Sequence, residues 1–113
     1  AQKNIDEAGL TQKIQLYQGN ALEAYKHWGS ADILHIDLCN HYDNVKPILE
    51  NWYQKVKCCI LLEGGVYNSW QRKYGFRPFN PLLSELYVAE SYDAITFHKG
   101  GDDALTILIR RNI

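Results

Sequence analysis

The spacing of apolar residues changes several times along this chain, and each change marks an element. Residues 1–8 are mostly polar, broken by Ile5 and Ala8, with Leu10 following, which is a helical spacing. Gly9 stands where a helix closes on a left-handed residue. Residues 13–18 (KIQLYQ) switch to a period of two, with Ile14 and Leu16 on one face, and predict a strand that ends at Gly19 and Asn20. Residues 21–28 predict a short helix closed by Gly29. Residues 31–37 (ADILHID) run nearly continuously apolar up to Asp37, as in a strand covered on both faces. Residues 42–56 carry Val45, Ile48, Leu49, Trp52, Tyr53 and Val56 along one stripe and predict the longest helix. Pro47 is compatible only with the first turn of that helix. Residues 57–63 (KCCILLE) are the most apolar run and predict the central strand.

Gly64 and Gly65 break the pattern. Residues 66–81 form a long irregular stretch rich in aromatic, Asn, Arg and Pro residues, with a helical turn around 69–73; long loops in such positions are commonly functional. Residues 81–88 predict a helix through Leu82, Leu83 and Leu86. Residues 92–98 (YDAITFH) and 104–110 (ALTILIR) predict strands joined through the turn at 99–103 as an antiparallel hairpin. Strands alternating with helices imply right-handed crossovers and a parallel sheet. The expected fold is therefore α/β: a Rossmann-like parallel sheet with helices on both faces and a C-terminal antiparallel hairpin, in one domain over residues 1–113.

Composition narrows the function. The 113 residues are 46% hydrophobic and carry a net charge of -1, enough for a modest core and too little charge for bulk attraction to nucleic acid or an acidic membrane. The basic pairs Arg72-Lys73 and Arg110-Arg111 read as surface. No apolar run approaches a membrane-spanning length. The three cysteines, Cys39, Cys58 and Cys59, have neither zinc spacing nor a disulfide framework and read as free thiols of a reducing compartment, which points to the cytoplasm. With no methionine and a first residue that already reads as helical, the chain is expected to be a fragment or the ordered remainder of a longer one.

Ligands of open α/β sheets bind beyond the carboxyl ends of the strands. That rule selects Gly19, Asn20 and Ala21, then Asp37 and Leu38 through Tyr42, then Glu63 through Val66. Asp37 and Glu63 each end an apolar strand and are expected to face one crevice, where two carboxylates can bind a hard cation, hold an ammonium group or act as acid and base. Each also suits capping of the element that follows. His41 suits proton abstraction, or an exposed place in the first turn of its helix. Asn20 suits a purine edge or a helix N-cap. His35, within its strand, reads as packed. Tyr67, Trp70 and Tyr74 suit a lid over substrate, or packing over the end of the sheet.

At these residues the chain resembles class I S-adenosylmethionine-dependent methyltransferases, in particular small O-methyltransferase-like members. AQKNIDEAGL followed by KIQLYQGNALEAY is similar to the family's N-x-x-x-A-G-L helix and the strand ending in Gly-Asp/Asn-Ala. ADILHIDLCNHYDNV resembles its D-hydrophobic-x-hydrophobic-I-D-G-x-H-x-Y-x-x-V stretch, and CCILLEGG its next strand. The closing hairpin also fits, because the family inserts an antiparallel strand beside its last parallel one. The resemblance covers essentially the whole chain and places it in the C-terminal part of such a domain.

The resemblance implies S-adenosylmethionine as cofactor and a small-molecule oxygen or nitrogen acceptor. It implies Gly19, Asn20, Ala21, Asp37 and Leu38 as cofactor-binding residues, with Asn20 and Ala21 at the adenine and Asp37 at the methionine end. In such a reaction His41 or Glu63 is the candidate catalytic residue acting on the acceptor, and the resemblance implies Asp37 with Glu63 as ligands of a divalent metal in metal-dependent members. The chain departs from the pattern at Glu63-Gly64 (Asp-Asn or Asp-Asp in those members), at Leu38 (Gly) and at Asn40 (His, displaced here to His41); the Pro-Gly-Gly before the third strand is replaced by Val56-Lys57-Cys58. The family's Gly-rich loop and ribose-binding acid would lie upstream of Ala1. Their strands would sit between the first two strands here, so a gap in the sheet, or a swapped homodimer that fills it, is expected. The alternative readings are a non-catalytic Rossmann-like binding or structural module and a different nucleotide-binding α/β protein.

Overall fold

A computed structural model describes residues 1–112. Its four-stranded sheet is built around the two most apolar strands. β2 (Val56–Glu63) is flanked by β1 (Ala31–Ile36), which runs parallel to it, and by β4 (Asp103–Arg110), which runs antiparallel; β3 (Tyr92–Gly100) pairs with the far side of β4. The order β1-β2-β4-β3 confirms the α/β Rossmann-like class, the central place of the KCCILLE run and the closing antiparallel hairpin.

Alternation along the strands sends one set of side chains to the helices. Leu34 and Ile36 of β1 stand beside Ile60 and Leu62 of β2, which oppose Leu108 and Thr106 of β4. Against this face pack Val45, Ile48, Leu49 and Trp52 of α2 (Tyr42–Trp52), Leu82 of the 3-10 turn Asn80–Ser84 and Val88 of α4 (Leu86–Ala89). Leu22 and Tyr25 of the 3-10 helix Ala21–His27 join the margin of the same cluster. Each fully buried Val, Leu or Ile contributes roughly 1.5–3 kcal/mol, so this single layer carries the fold.

The other face of the sheet corrects the expectation of helices on both sides. Ile33 (58% exposed), Ile95 (44%), Phe97 (56%) and Ile109 (44%) all lie open to solvent there. The strands read as apolar on both faces, but an apolar face does not by itself supply a cover.

A second correction concerns residues 13–18, which form no strand. Their alternation is genuine, yet Ile14 and Leu16 remain exposed. Tyr17 turns instead to His27 and Trp28, with ring centroids 4.3 and 5.8 Å away. The sheet therefore has no internal gap; it begins at β1, whose outer edge has no partner among the described residues.

Smaller differences have local causes. α1 (Gln2–Glu7) closes at Gly9, whose φ is +71°. α2 ends at Trp52 because Tyr53 to Lys55 turn the chain into β2, and Val56 joins the strand. Pro47 lies in the second turn of α2 rather than the first, so the carbonyl of Asp43 lacks its usual donor. The helix read at 81–88 is broken at Glu85, whose ψ of 140° is extended. α3 (Ser69–Tyr74) forms as expected, with a reciprocal capping box between Asn68 and Gln71. Among the described residues no helix is long and apolar enough to cross a membrane.

Two positions generate predictions. Gly65 has φ +132°, and a Cβ there would stand 2.3 Å from Thr106 Oγ1 and 2.7 Å from Thr96 Cγ2. Gly65→Ala is expected to destabilise the fold by about 2–4 kcal/mol in urea denaturation. The Tyr87 hydroxyl is buried with no partner. That burial, reinforced by Glu50 and Glu85, pushes its pKa from 10.0 to about 12. The raised folded value means that stability is unaffected below pH 10 and falls as pH rises from 10 towards 12. Tyr87→Phe should therefore leave stability at pH 7 unchanged or higher, because it removes an unsatisfied hydroxyl, and should flatten part of the alkaline loss in melts between pH 9 and 12.

Candidate active site

One side chain ties the carboxyl ends of β1 and β2. Asn40 Nδ2 donates to the carbonyl of Ile36 (2.7 Å) and to that of Glu63 (2.9 Å), and Asn40 Oδ1 accepts from Leu38 N (3.0 Å). Between them Cys39 takes φ 42°, a left-handed conformation that non-glycine residues seldom adopt. Asn44, one turn into α2, holds the same loop by donating to the carbonyls of Leu38 (3.1 Å) and Cys39 (3.3 Å). The buried Gln71 donates to the carbonyl of Asn40 (3.3 Å) and so joins α3 to the clamp.

Two cavities open around this loop. The larger, about 570 Å³, lies between the end of β2, α3 and the β3–β4 turn; Asn40, Glu63, Gly64, Trp70, Asp102 and Asp103 contribute to its wall. The smaller, about 340 Å³, lies between the 3-10 helix Ala21–His27, α2 and β1. Ala21, Trp28, Leu34, Asp37, Leu38 and Trp52 line much of it. It is a largely apolar slot with one carboxylate and one imidazole, His35, and Asp37 is exposed with no side-chain hydrogen-bond or ion-pair partner among the described residues.

The residues selected from the sequence divide between these places. Ala21, Asp37 and Leu38 share the smaller cavity, and Glu63 stands in the larger. Gly19 and Asn20 line neither; Asn20 is the N-cap of the 3-10 helix, its side chain accepting from Leu22 N at 3.0 Å. His41 is neither a base facing a cavity nor an exposed first-turn residue. It is buried, its ring stacks on Phe76 at 4.4 Å and 14°, and its Nδ1 is enclosed without a partner. The Ile36–Leu62 pairing brings Asp37 and Glu63 to the same level of the sheet, but the carboxylates enter different cavities.

His35 is not packed, contrary to the expectation from its place within the strand. Its side chain is half exposed, and Nε2 lies 3.2 Å from Glu63 Oε1. The register explains the pair: His35 stands beside Leu61, so Glu63 is its diagonal neighbour on the same sheet face. That spacing was available in the sequence once the two strands were known to be parallel neighbours. Asp102 and Asp103 gave no sequence signal, because they enter through a turn far along the chain. Asp102 accepts from Ser69 N (3.0 Å) and Ser69 Oγ (2.7 Å), and these two bonds hold its carboxyl below the usual range.

A family model described as a methyltransferase domain matches residues 1–62, more than half of the 113 residues. The chain belongs to this methyltransferase-domain family. No curated protein matches it. The match spans the turn at 19–21, Asp37 and Leu38, and stops one residue before Glu63. It accords with the geometry: the matched residues of the methyltransferase domain build the smaller cavity, and the larger draws on residues that follow. The metal expected from Asp37 and Glu63 does not fit the donor set. The two acids diverge, Glu63 engages His35, and among the described residues no group of three or more His, Cys, Asp or Glu gathers for an ion.

Because Asn40 bonds three backbone groups, its loss removes three hydrogen bonds from the loop and the strand ends at once. Asn40→Ala is expected to destabilise the methyltransferase domain by about 2–3 kcal/mol in chemical denaturation. Asn44→Ala, which removes weaker bonds to the same loop, should cost about 1 kcal/mol.

Proposed function

We propose that this domain serves methyl transfer from S-adenosylmethionine to an oxygen or nitrogen of a small-molecule acceptor, with the cofactor at the smaller cavity and the acceptor in the larger. The observation that carries this reading is the pair of cavities on either side of the Asn40 loop. One is a largely apolar slot with a free acid at Asp37 and His35 in its lining; the other has the Glu63 carboxylate, which His35 contacts from the side of the first.

The residues fit one part of the cofactor. Ala21, Trp28, Leu38 and Trp52 offer the apolar walls that a purine requires, and the unpaired Asp37 carboxylate can accept from a hydroxyl or ammonium group beside it. When bound, the cofactor supplies an electrophilic methyl on a sulfonium, so the domain's task is mainly alignment. Glu63 is the group we assign to take the acceptor's proton, with His35 holding its carboxylate in place. The enclosed His41 ring is assigned to packing. We place the reaction in the cytoplasm, where Cys39, Cys58 and Cys59, all free, stay reduced.

Calorimetric titration with S-adenosylhomocysteine, using ATP and NAD as controls, tests this reading. Selective binding of the homocysteine derivative is expected. Asp37→Asn should weaken it by roughly tenfold, and Glu63→Gln, in the other cavity, should change it by less than about twofold. Equal affinity for all three ligands, or a stronger effect of Glu63→Gln than of Asp37→Asn, would sink the assignment.

A further inference from the structure

The wall of the larger cavity is one-sided in charge. Glu63, Asp102 and Asp103 contribute to it, and no Lys or Arg does. Asp102 is fixed in place by its two bonds from Ser69, and Asp103 has no hydrogen-bond or ion-pair partner among the described residues. Arg72, whose charge reaches Asp102, is folded onto the Tyr67 ring at 4.3 Å and is not part of the wall.

The same cavity holds an aromatic platform. Trp70 is 45% exposed although it is the largest side chain of the loop. It is not loose: the indole stacks on Phe76 at 4.9 Å and 14°, and Phe76 stacks in turn on the buried His41 ring at 4.4 Å and 14°. Two rings, Phe76 and behind it His41, thus brace the indole and leave it presented at the cavity wall. A braced, half-exposed Trp among carboxylates matches the two features that recognise an organic cation: a π-face and neighbouring negative charge.

We propose that the larger cavity selects an acceptor carrying a protonated amine or guanidinium beside an apolar or aromatic body, with Trp70 as the specificity-determining residue and Asp103 as its charged partner. The proposal rests on the reading of this cavity as the acceptor site and adds the chemical class of the acceptor. Anionic molecules of the same shape are rejected by the carboxylates, so discrimination comes from repulsion as well as attraction.

The test uses three ligands of one shape and different charge: phenethylamine, 2-phenylethanol and phenylacetate, titrated by NMR into the whole chain without cofactor. Phenethylamine is expected to bind about tenfold or more tightly than the alcohol, with phenylacetate weakest, and its affinity should fall with added salt. Trp70→Ala should reduce amine binding by about tenfold and Trp70→Phe by less, whereas Asp103→Asn, an exposed substitution compatible with folding, should narrow the amine-to-alcohol ratio by about threefold or more. Equal affinity for the amine and the alcohol, no amine binding at about 10 mM, or an unchanged ratio in Asp103→Asn would each overturn the proposal. Titration with S-adenosylhomocysteine separates the two readings. Amine selectivity without binding of that ligand would remove the methyl-transfer assignment and keep the cation site; the reverse result would remove the cation site alone.

Discussion

The Asn40 carboxamide is the interaction on which the functional end of this domain depends. Two parallel strands end side by side, and their last carbonyls would otherwise diverge into loops. A single amide with two donors and one acceptor bridges Ile36, Glu63 and Leu38. Unsatisfied backbone groups at a half-buried loop cost as much as the hydrogen bonds they lose, so residues 37–41 are held by this side chain together with Asn44 and Gln71. Both cavities take their shape from that loop: Asp37 and Leu38 belong to one wall, Cys39 and Asn40 to the other.

Around the clamp, the sheet is covered on one face and bare on the other. The helices that enter the core all approach from the side of Ile60, Leu62 and Leu108. On the opposite side the same strands present Ile33, Ile95, Phe97 and Ile109 to water. The hairpin is fastened to the functional end by a second polar device. Thr96 and Thr106 face each other at 2.9 Å, Thr106 donates to the carbonyl of Gly64, and Asn80 donates to that of Gly65. The two threonines occupy the space a side chain at 65 would need, which is why glycine stands there, while at Gly64 the ring of Phe79 lies in that place.

Much of the fold was legible because its strands are encoded locally. The runs at 31–37 and 57–63 and the two segments of the hairpin are long, apolar and bounded by turn residues, and each appears within a residue or two of its expected limits. Residues 13–18 have an equally clear period of two and form no strand, since a strand exists only where a neighbour accepts its hydrogen bonds and alternation cannot report the neighbour. The site was legible in part for the same reason. Asp37, Leu38 and Glu63 follow from the rule that strand ends carry chemistry. The role of Asn40, the pairing of His35 with Glu63 and the enclosure of His41 by Phe76 depend on register and on a loop closing over the helix start, neither of which spacing reveals. Asp102 and Asp103 reach the cavity only because β4 inserts beside β2.

That insertion also shapes how the chain can assemble in time. The hairpin partners are separated by 3 to 18 positions, and the crossover from β1 to β2 spans 25 or 26. The ladder between β2 and β4 joins residues 42 to 50 positions apart. Loop-closure entropy rises with separation, and low contact order folds first. The two halves of the sheet are thus local units, and their docking along β2 and β4 is the entropically demanding step. It is also the pairing that brings Asp102 and Asp103 up to Glu63, so the larger cavity depends on the longest-range contact of the sheet.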